Sequence, residues 1–203
     1  MKGLTLWQID MIPWIAFCVY WLITWLRVRA TKTAETRSSR LGTIAPLFVA
    51  FFLLFDPRAS IRLLGWRPLS FNAQIAWVGI GLTTLGAAIA IWARSYLGEF
   101  WSASVMLKEG HRIIRSGPYA FVRHPIYTGM LTAAIGTGLV VGELRAIVAV
   151  AILLVTHSRK AMREEALLTS EFGDEYVAYR RSTGFLFPRI WSRAGMDTHP
   201  GRS

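Results

Sequence analysis

Between Arg67 and Arg94 the chain runs for 26 residues without an Asp, Glu, Lys or Arg. A helix rises about 1.5 Å per residue, so about 20 apolar residues cross the roughly 30 Å of bilayer hydrocarbon. This run is long enough to do so in one pass. Other charge-free stretches accompany it: 16 residues between Asp10 and Arg27, 15 between Arg40 and Asp56, 19 from His124 to Gly142 and 13 from Ala146 to Ser158. The first of these, the second and the last are short, and they span if flanking Trp and Arg side chains reach the interface or the bilayer thins locally. The last two are separated only by Glu143, Leu144 and Arg145, which reads as a helical hairpin. The expected fold is all-α: an integral membrane bundle of about five transmembrane helices, with a C-terminal helix in the cytosol or on the interface.

Composition narrows the class further. Apolar residues make up 53% and charged residues 17% of 203, whereas soluble domains sit near 45–50% and about 25%. That balance excludes disorder and an ordinary soluble domain. The net charge of +11 suits either nucleic acid or an anionic membrane surface, and the apolar runs decide for the membrane; no nucleic-acid partner is expected, and no obligate protein partner is inferred. Basic residues cluster at 27–40, at 94–123 and again after Ser158. Basic loops stay in the cytoplasm, so five spans place the N-terminus outside and the later basic segments inside, in a multi-pass protein of the cell (inner) membrane. The N-terminal segment, with Asp10 and no small-x-small site, does not read as a cleavable signal. The whole of 1–203 reads as one membrane domain, with three spans in 1–93, a binding and catalytic region in 94–190 and a flexible tail in 191–203. A single cysteine, Cys18, excludes an internal disulfide and a cysteine-based zinc cluster, and no metal site is expected.

Candidate chemistry is confined to the second half. Gly117-Pro118 marks a turn, and Pro125 suits the first position of a helix, which puts His124 at its cap and Tyr127 one turn in. A helix start offers free N–H groups and a partial positive end, a setting for a carboxylate or a polar cofactor tail. Arg123-His124-Pro125 serves equally well as an interfacial anchor, with Tyr127 in an aromatic belt. His157, Lys160 and Glu164 share one helix face where the fifth stretch leaves the bilayer, an arrangement also met in ordinary i,i+4 ion pairs. Leu168, Phe172, Tyr176 and Tyr179 recur at helical spacing and predict an amphipathic helix lying on the interface. Gly79, Gly81 and Gly86 lack the spacing and the preceding strand of a dinucleotide fingerprint; they predict close packing, as do Gly138 and Gly142.

Taken together, Gly117-Pro118-Tyr119, then Val122-Arg123-His124-Pro125-Ile126-Tyr127-Thr128-Gly129, and further on Glu164-Glu165, Leu168, Phe172-Gly173-Asp174-Glu175-Tyr176 and Tyr179 resemble the isoprenylcysteine carboxyl methyltransferase family, a group related to phospholipid methyltransferases. The resemblance extends from Trp92 to about Pro188. It implies a membrane enzyme that uses S-adenosyl-L-methionine without a Rossmann domain, its cofactor pocket facing the cytosol. Carried over by position, His111, Arg112, Ile113, Ile114, Tyr119, His124, Pro125, Ile126, Tyr127 and Glu164 are expected to bind the cofactor. The family's acceptor-orienting arginine falls at Lys160, with Arg159 beside it, and these two are the expected catalytic cations. The expected acceptor is lipid-like, foremost the carboxylate of a prenylated cysteine or a similar thioether acid. A phospholipid amine, a small thiol, or a non-catalytic scaffold that retains the fold remain as alternatives.

Overall fold

The computed structural model describes residues 4–25, 37–68, 72–98 and 113–189, with 37–40 described by backbone alone. His111, Arg112 and the tail 191–203 lie outside the described residues. Among the described residues six α-helices follow in order: α1 (Leu6–Trp25), α2 (Arg37–Phe55), α3 (Ala73–Leu97), α4 (Pro125–Val141), α5 (Leu144–Phe172) and α6 (Asp174–Ser182). Among the described residues there is no strand, only an isolated parallel bridge between Val122 and Gly184. α1 and α3 are long and apolar enough to cross a membrane, and the apolar helices 41–55 and α4 are shorter. Large apolar side chains point outward on every long helix, among them Ile15 and Leu22 on α1, Phe48 on α2, Val78 on α3 and Ile147 on α5. Water would penalise such a surface, whereas lipid solvates it.

The bundle is built on the α3–α4 pair, against which α1 packs, while α2 packs on α5. Lipid tails are as apolar as leucine, so hydrophobicity gives helices no reason to pair inside a bilayer; close backbone approach does. Gly79 and Gly86 on α3 face Gly136 and Gly129 on α4. A Cβ at Gly79 would lie 2.6 Å from the Gly136 carbonyl, and one at Gly129 would lie 2.6 Å from that of Gly86. Gly81, by contrast, has open space around it, and Gly138 meets only ordinary contacts. Gly142 is a left-handed C-cap for α4, at φ 67°. The seam therefore uses Gly129 and Gly136 rather than the Gly138/Gly142 pair. A seven-residue spacing returns to nearly the same helix face, and the four-residue spacing of 138 and 142 falls here on a face turned from α3.

Asp10 also departs from expectation. It does not bound the first span but lies inside α1, fully buried. Its Oδ2 accepts from the Thr137 hydroxyl at 2.8 Å, and the Trp14 indole N–H donates to the same Thr137 oxygen at 2.9 Å. A polar cluster thus fastens α1 to α4.

At the hairpin tip Arg145 is buried and turned inward. It donates to Glu143 at 2.7 Å and to the Leu53 and Asp56 carbonyls at 2.6 and 3.2 Å, and Arg67 reaches Glu143 at 3.1 Å. The guanidinium thereby caps the carbonyl end of α2, whose last turn has no helical partners of its own. Burial works against the charge on Glu143, but its bonds from Arg145, Ser60 and Arg67 outweigh that and hold its carboxyl below the usual range.

The predicted interfacial helix is not continuous. α5 stops at Phe172, Gly173 turns the chain at φ +53°, and α6 folds back so that Tyr176 and Tyr179 are buried. Their helical spacing reports contact with protein rather than with a membrane surface.

Candidate active site

Two backbone devices place the polar groups. Before α4, a short 3-10 turn over Gly117–Ala120 sets Tyr119 inward. Gly117 adopts φ +59°, and a Cβ there would meet the Tyr96 ring at 2.5 Å, so glycine is required both by conformation and by space. After α6 the chain returns along residues 121–124: Arg123 N–H donates to Gly184 O at 2.9 Å, Gly184 N–H to Phe121 O at 3.1 Å and His124 N–H to Phe185 O at 3.3 Å. The Thr128 hydroxyl adds a bond to Leu186 O at 2.6 Å, and the Tyr179 hydroxyl donates to Tyr119 O at 2.7 Å. This strap holds the start of α4 against the extended end of α5.

Between those elements the rings of His124, Tyr127 and His157 form a stack. Centroids are 5.7 Å apart at 12° for the first pair and 4.9 Å at 8° for the second. The Tyr127 hydroxyl donates to Glu164 Oε1 at 2.7 Å, and His124 Nδ1 lies 3.6 Å from Glu164 Oε2. The Lys160 ammonium stands 5.6 Å from the centre of the Tyr127 ring. Glu165 points the other way, taking Arg123 at 2.6 Å, Arg180 at 3.2 Å and His124 Nε2 at 3.2 Å. Neighbouring carboxylates thus do different work: Glu165 is tied into the scaffold, while the Glu164 side chain keeps 24% of its surface exposed.

Burial opposes ionisation of Glu164, yet the adjacent His124, the charge of Lys160 and the hydrogen bond from Tyr127 more than offset it, so its carboxyl sits below the usual range. Glu165 is lowered in the same sense: burial raises it, and His124 and Arg123 outweigh the burial. Burial first, then the Glu164 charge, pushes the Tyr119 hydroxyl up, and burial lifts Tyr179 to about 12; both phenols stay neutral donors.

Of the residues singled out in the sequence, the structure brings His124, Tyr127, Lys160 and Glu164 into one cluster. Tyr119 and Ile126 are buried together beneath it, with Ile114 and Tyr127 packed against them. Pro125 is fully buried at the first turn of α4, and Ile113 is half-buried in the segment before the turn. Arg159 is exposed. It lines a cleft of about 480 Å³ between α2 and α5, walled by Pro46, Val148, Ile152 and Val155, with Arg159, Lys160 and Arg163 at its polar end. Lys160 is the residue shared by the cleft and the cluster. Sequence reasoning did not assign the supporting set of Glu165, Arg123, Arg180 and Tyr179. Arg123, Glu165 and Tyr179 stood among the motif residues without a role, and their partners depend on the turn at Gly173 and the return of the strap, which no local pattern encodes.

The family model for isoprenylcysteine carboxyl methyltransferases matches residues 77–170, which contain the start of α4, the ring stack and both glutamates. Over that stretch the chain is similar to the isoprenylcysteine carboxyl methyltransferase family. Among similar proteins, protein-S-isoprenylcysteine O-methyltransferase of Schizosaccharomyces pombe is 32% identical over 55% of this chain and 48% of its own length. A cobalt-zinc-cadmium resistance protein of Cupriavidus metallidurans is 30% identical over 60% of this chain and 56% of its own length. The chain spans about half the length of these curated relatives. The solved structure of the eukaryotic intramembrane Ras methyltransferase, isoprenylcysteine carboxyl methyltransferase, superposes with a TM-score of 0.55 at 17% identity, covering 90% of this chain and 68% of that one. The two share a fold.

Proposed function

We propose that this protein is a membrane methyltransferase that uses S-adenosyl-L-methionine and methylates a lipid-like acid, foremost the carboxylate of a prenylated cysteine. The reading rests on one observation: α4 and α5 deliver Tyr127, His124, Lys160 and Glu164 to a single point at the charged end of the bundle. These groups suit the cofactor. Glu164 retains an exposed carboxylate edge for an ammonium, and the tyrosine faces suit a sulfonium.

When bound, the cofactor supplies an electrophilic methyl group on sulfur. The chain's own groups bind and orient. A carboxylate acceptor is already ionised near neutral pH and needs no general base, so the residues' work is positioning and exclusion of water. Lys160, aided by Arg159 and Arg163, holds the anion. The apolar α2–α5 cleft takes the tail, while the water-soluble cofactor enters from the cytosol past the segment before Tyr119, with Ile113 and Ile114 at its wall. These cations disfavour a protonated phospholipid amine by like-charge repulsion. The same reading keeps five spans, an external N-terminus and a cytosolic site in the cell membrane, supported by the basic residues that border α3 and α5.

A direct test is an acceptor panel in detergent or nanodiscs with isotopically labelled S-adenosyl-L-methionine, comparing a prenylcysteine acid, phosphatidylethanolamine and a simple thiol. Label is expected in the acid as a base-labile ester. Label confined to the amine or thiol overturns the acceptor, and absence of both cofactor binding and transfer overturns the enzyme.

A further inference from the structure

His157 is only 3% exposed, and neither ring nitrogen has a hydrogen-bond partner among the described residues. Whatever its tautomer, an imidazole carries at least one N–H, so among the described residues a donor is buried without an acceptor. A buried unpaired donor is costly, and orphans of this kind call for a specific explanation. The ring cannot simply be moved to satisfy itself, since it lies flat against Tyr127 at 8°. The nearest carboxylate on the same helix face, Glu164, already accepts the Tyr127 hydroxyl and faces His124. Lys160, one turn along α5, only donates, and its ammonium lies over the same Tyr127 ring as the imidazole. Two donors, one of them a cation, therefore converge on one tyrosine, and a group that satisfies both is an anion with oxygen acceptors. Position agrees: His157 stands where the last charge-free stretch ends, and its chain neighbour Thr156 lines the α2–α5 cleft together with Lys160.

We propose that His157 is an acceptor-binding residue, its ring N–H gripping the acceptor's carboxylate from the bilayer side while Lys160 grips it from the cytosolic side. This rests on the reading of the site as a methyltransferase of lipid-like acids. It assigns to the imidazole a role in fixing the attacking oxygens, and none in proton removal.

The test is equilibrium binding to the full chain in detergent, with three probes: an S-prenylcysteine acid, the corresponding carboxamide, and S-adenosyl-L-methionine. His157→Phe keeps the flat ring on Tyr127 and removes the N–H; His157→Asn restores a donor. The Phe variant is expected to lose about tenfold or more in affinity for the acid, the scale of a hydrogen bond to a charged group. Affinity for the amide and the cofactor should hold, and the Asn variant should recover part of the loss. In the wild type, the His157 imidazole NMR signals should shift on adding the acid and not the amide. Unchanged acid affinity in His157→Phe overturns the assignment, as does an equal loss for acid and amide, or a loss confined to the cofactor. A wild-type protein that binds the cofactor but no acid overturns the assignment together with the acceptor reading beneath it; one that binds the acid with His157→Phe unaffected overturns the assignment alone.

Discussion

Glu164 and Glu165 are chain neighbours whose surroundings separate their roles. Adjacent helix positions point about 100° apart, so one carboxylate faces the ring stack and the other the arginines of the scaffold. Glu164→Ala should weaken S-adenosyl-L-methionine binding by about tenfold or more, the cost of a lost charge-assisted hydrogen bond, while the protein stays folded; calorimetry with a circular-dichroism control checks both. The pH dependence follows from the same geometry. Both carboxyls sit below the usual range in the folded protein. Their contribution to stability is therefore complete above the ordinary unfolded value near 4.3, and it disappears as pH falls through the lowered folded values. Thermal melts in detergent should show the midpoint dropping on acidification below about pH 4, and Glu164→Gln/Glu165→Gln should flatten that drop. An unaltered acid limb in the double variant would disprove the attribution.

Among the elements, the α4–α5 hairpin was the most legible from sequence, because Gly142 closes one helix and Glu143 to Arg145 interrupt the apolar run. What the pattern concealed was the direction of Arg145. A charge at a hairpin tip reads as solvated, yet this one caps α2 through the Leu53 and Asp56 carbonyls, contacts some ninety residues distant in sequence. Arg145→Ala leaves Glu143 buried with only part of its partners, and removing one member of a buried ion pair costs about 3–5 kcal/mol. The expected outcome is a clear loss in unfolding midpoint, with Arg145→Lys recovering only part because an ammonium cannot fork to the carboxylate and several carbonyls at once. The C-terminal helical pattern was read from the right residues without the protein neighbours that bury Tyr176 and Tyr179. Helical spacing of Leu168, Phe172, Tyr176 and Tyr179 says that one side is buried and is silent about what buries it, and the turn at Gly173 breaks the face in two.

For the whole molecule, charge-free run length located the helical segments, and the motif residues around His124 and Glu164 located the candidate site. The long-range fit between them was hidden, since it depends on which glycines meet. Gly136 faces the Gly79 carbonyl and Thr83, backbone atoms that cannot swing aside as a side chain can. Gly136→Leu should therefore separate α3 from α4 and cost at least the roughly 1–3 kcal/mol typical of overpacking, read as early unfolding and loss of cofactor binding together. Gly81→Leu, on an open face, should be tolerated; equal damage from both would remove the seam from the explanation of the fold.

Arg123, His124 and Thr128 bond to the backbone at Gly184, Phe185 and Leu186, some sixty residues further along. Protein synthesis proceeds in one direction, so α1 to α5 can form and pack while the start of α4 still lacks these partners. The pairing closes only after the ribosome has added residue 186 and that stretch has cleared its exit tunnel. A complete candidate site would then be among the last features a nascent copy acquires, and a chain interrupted before Gly184 would lack it.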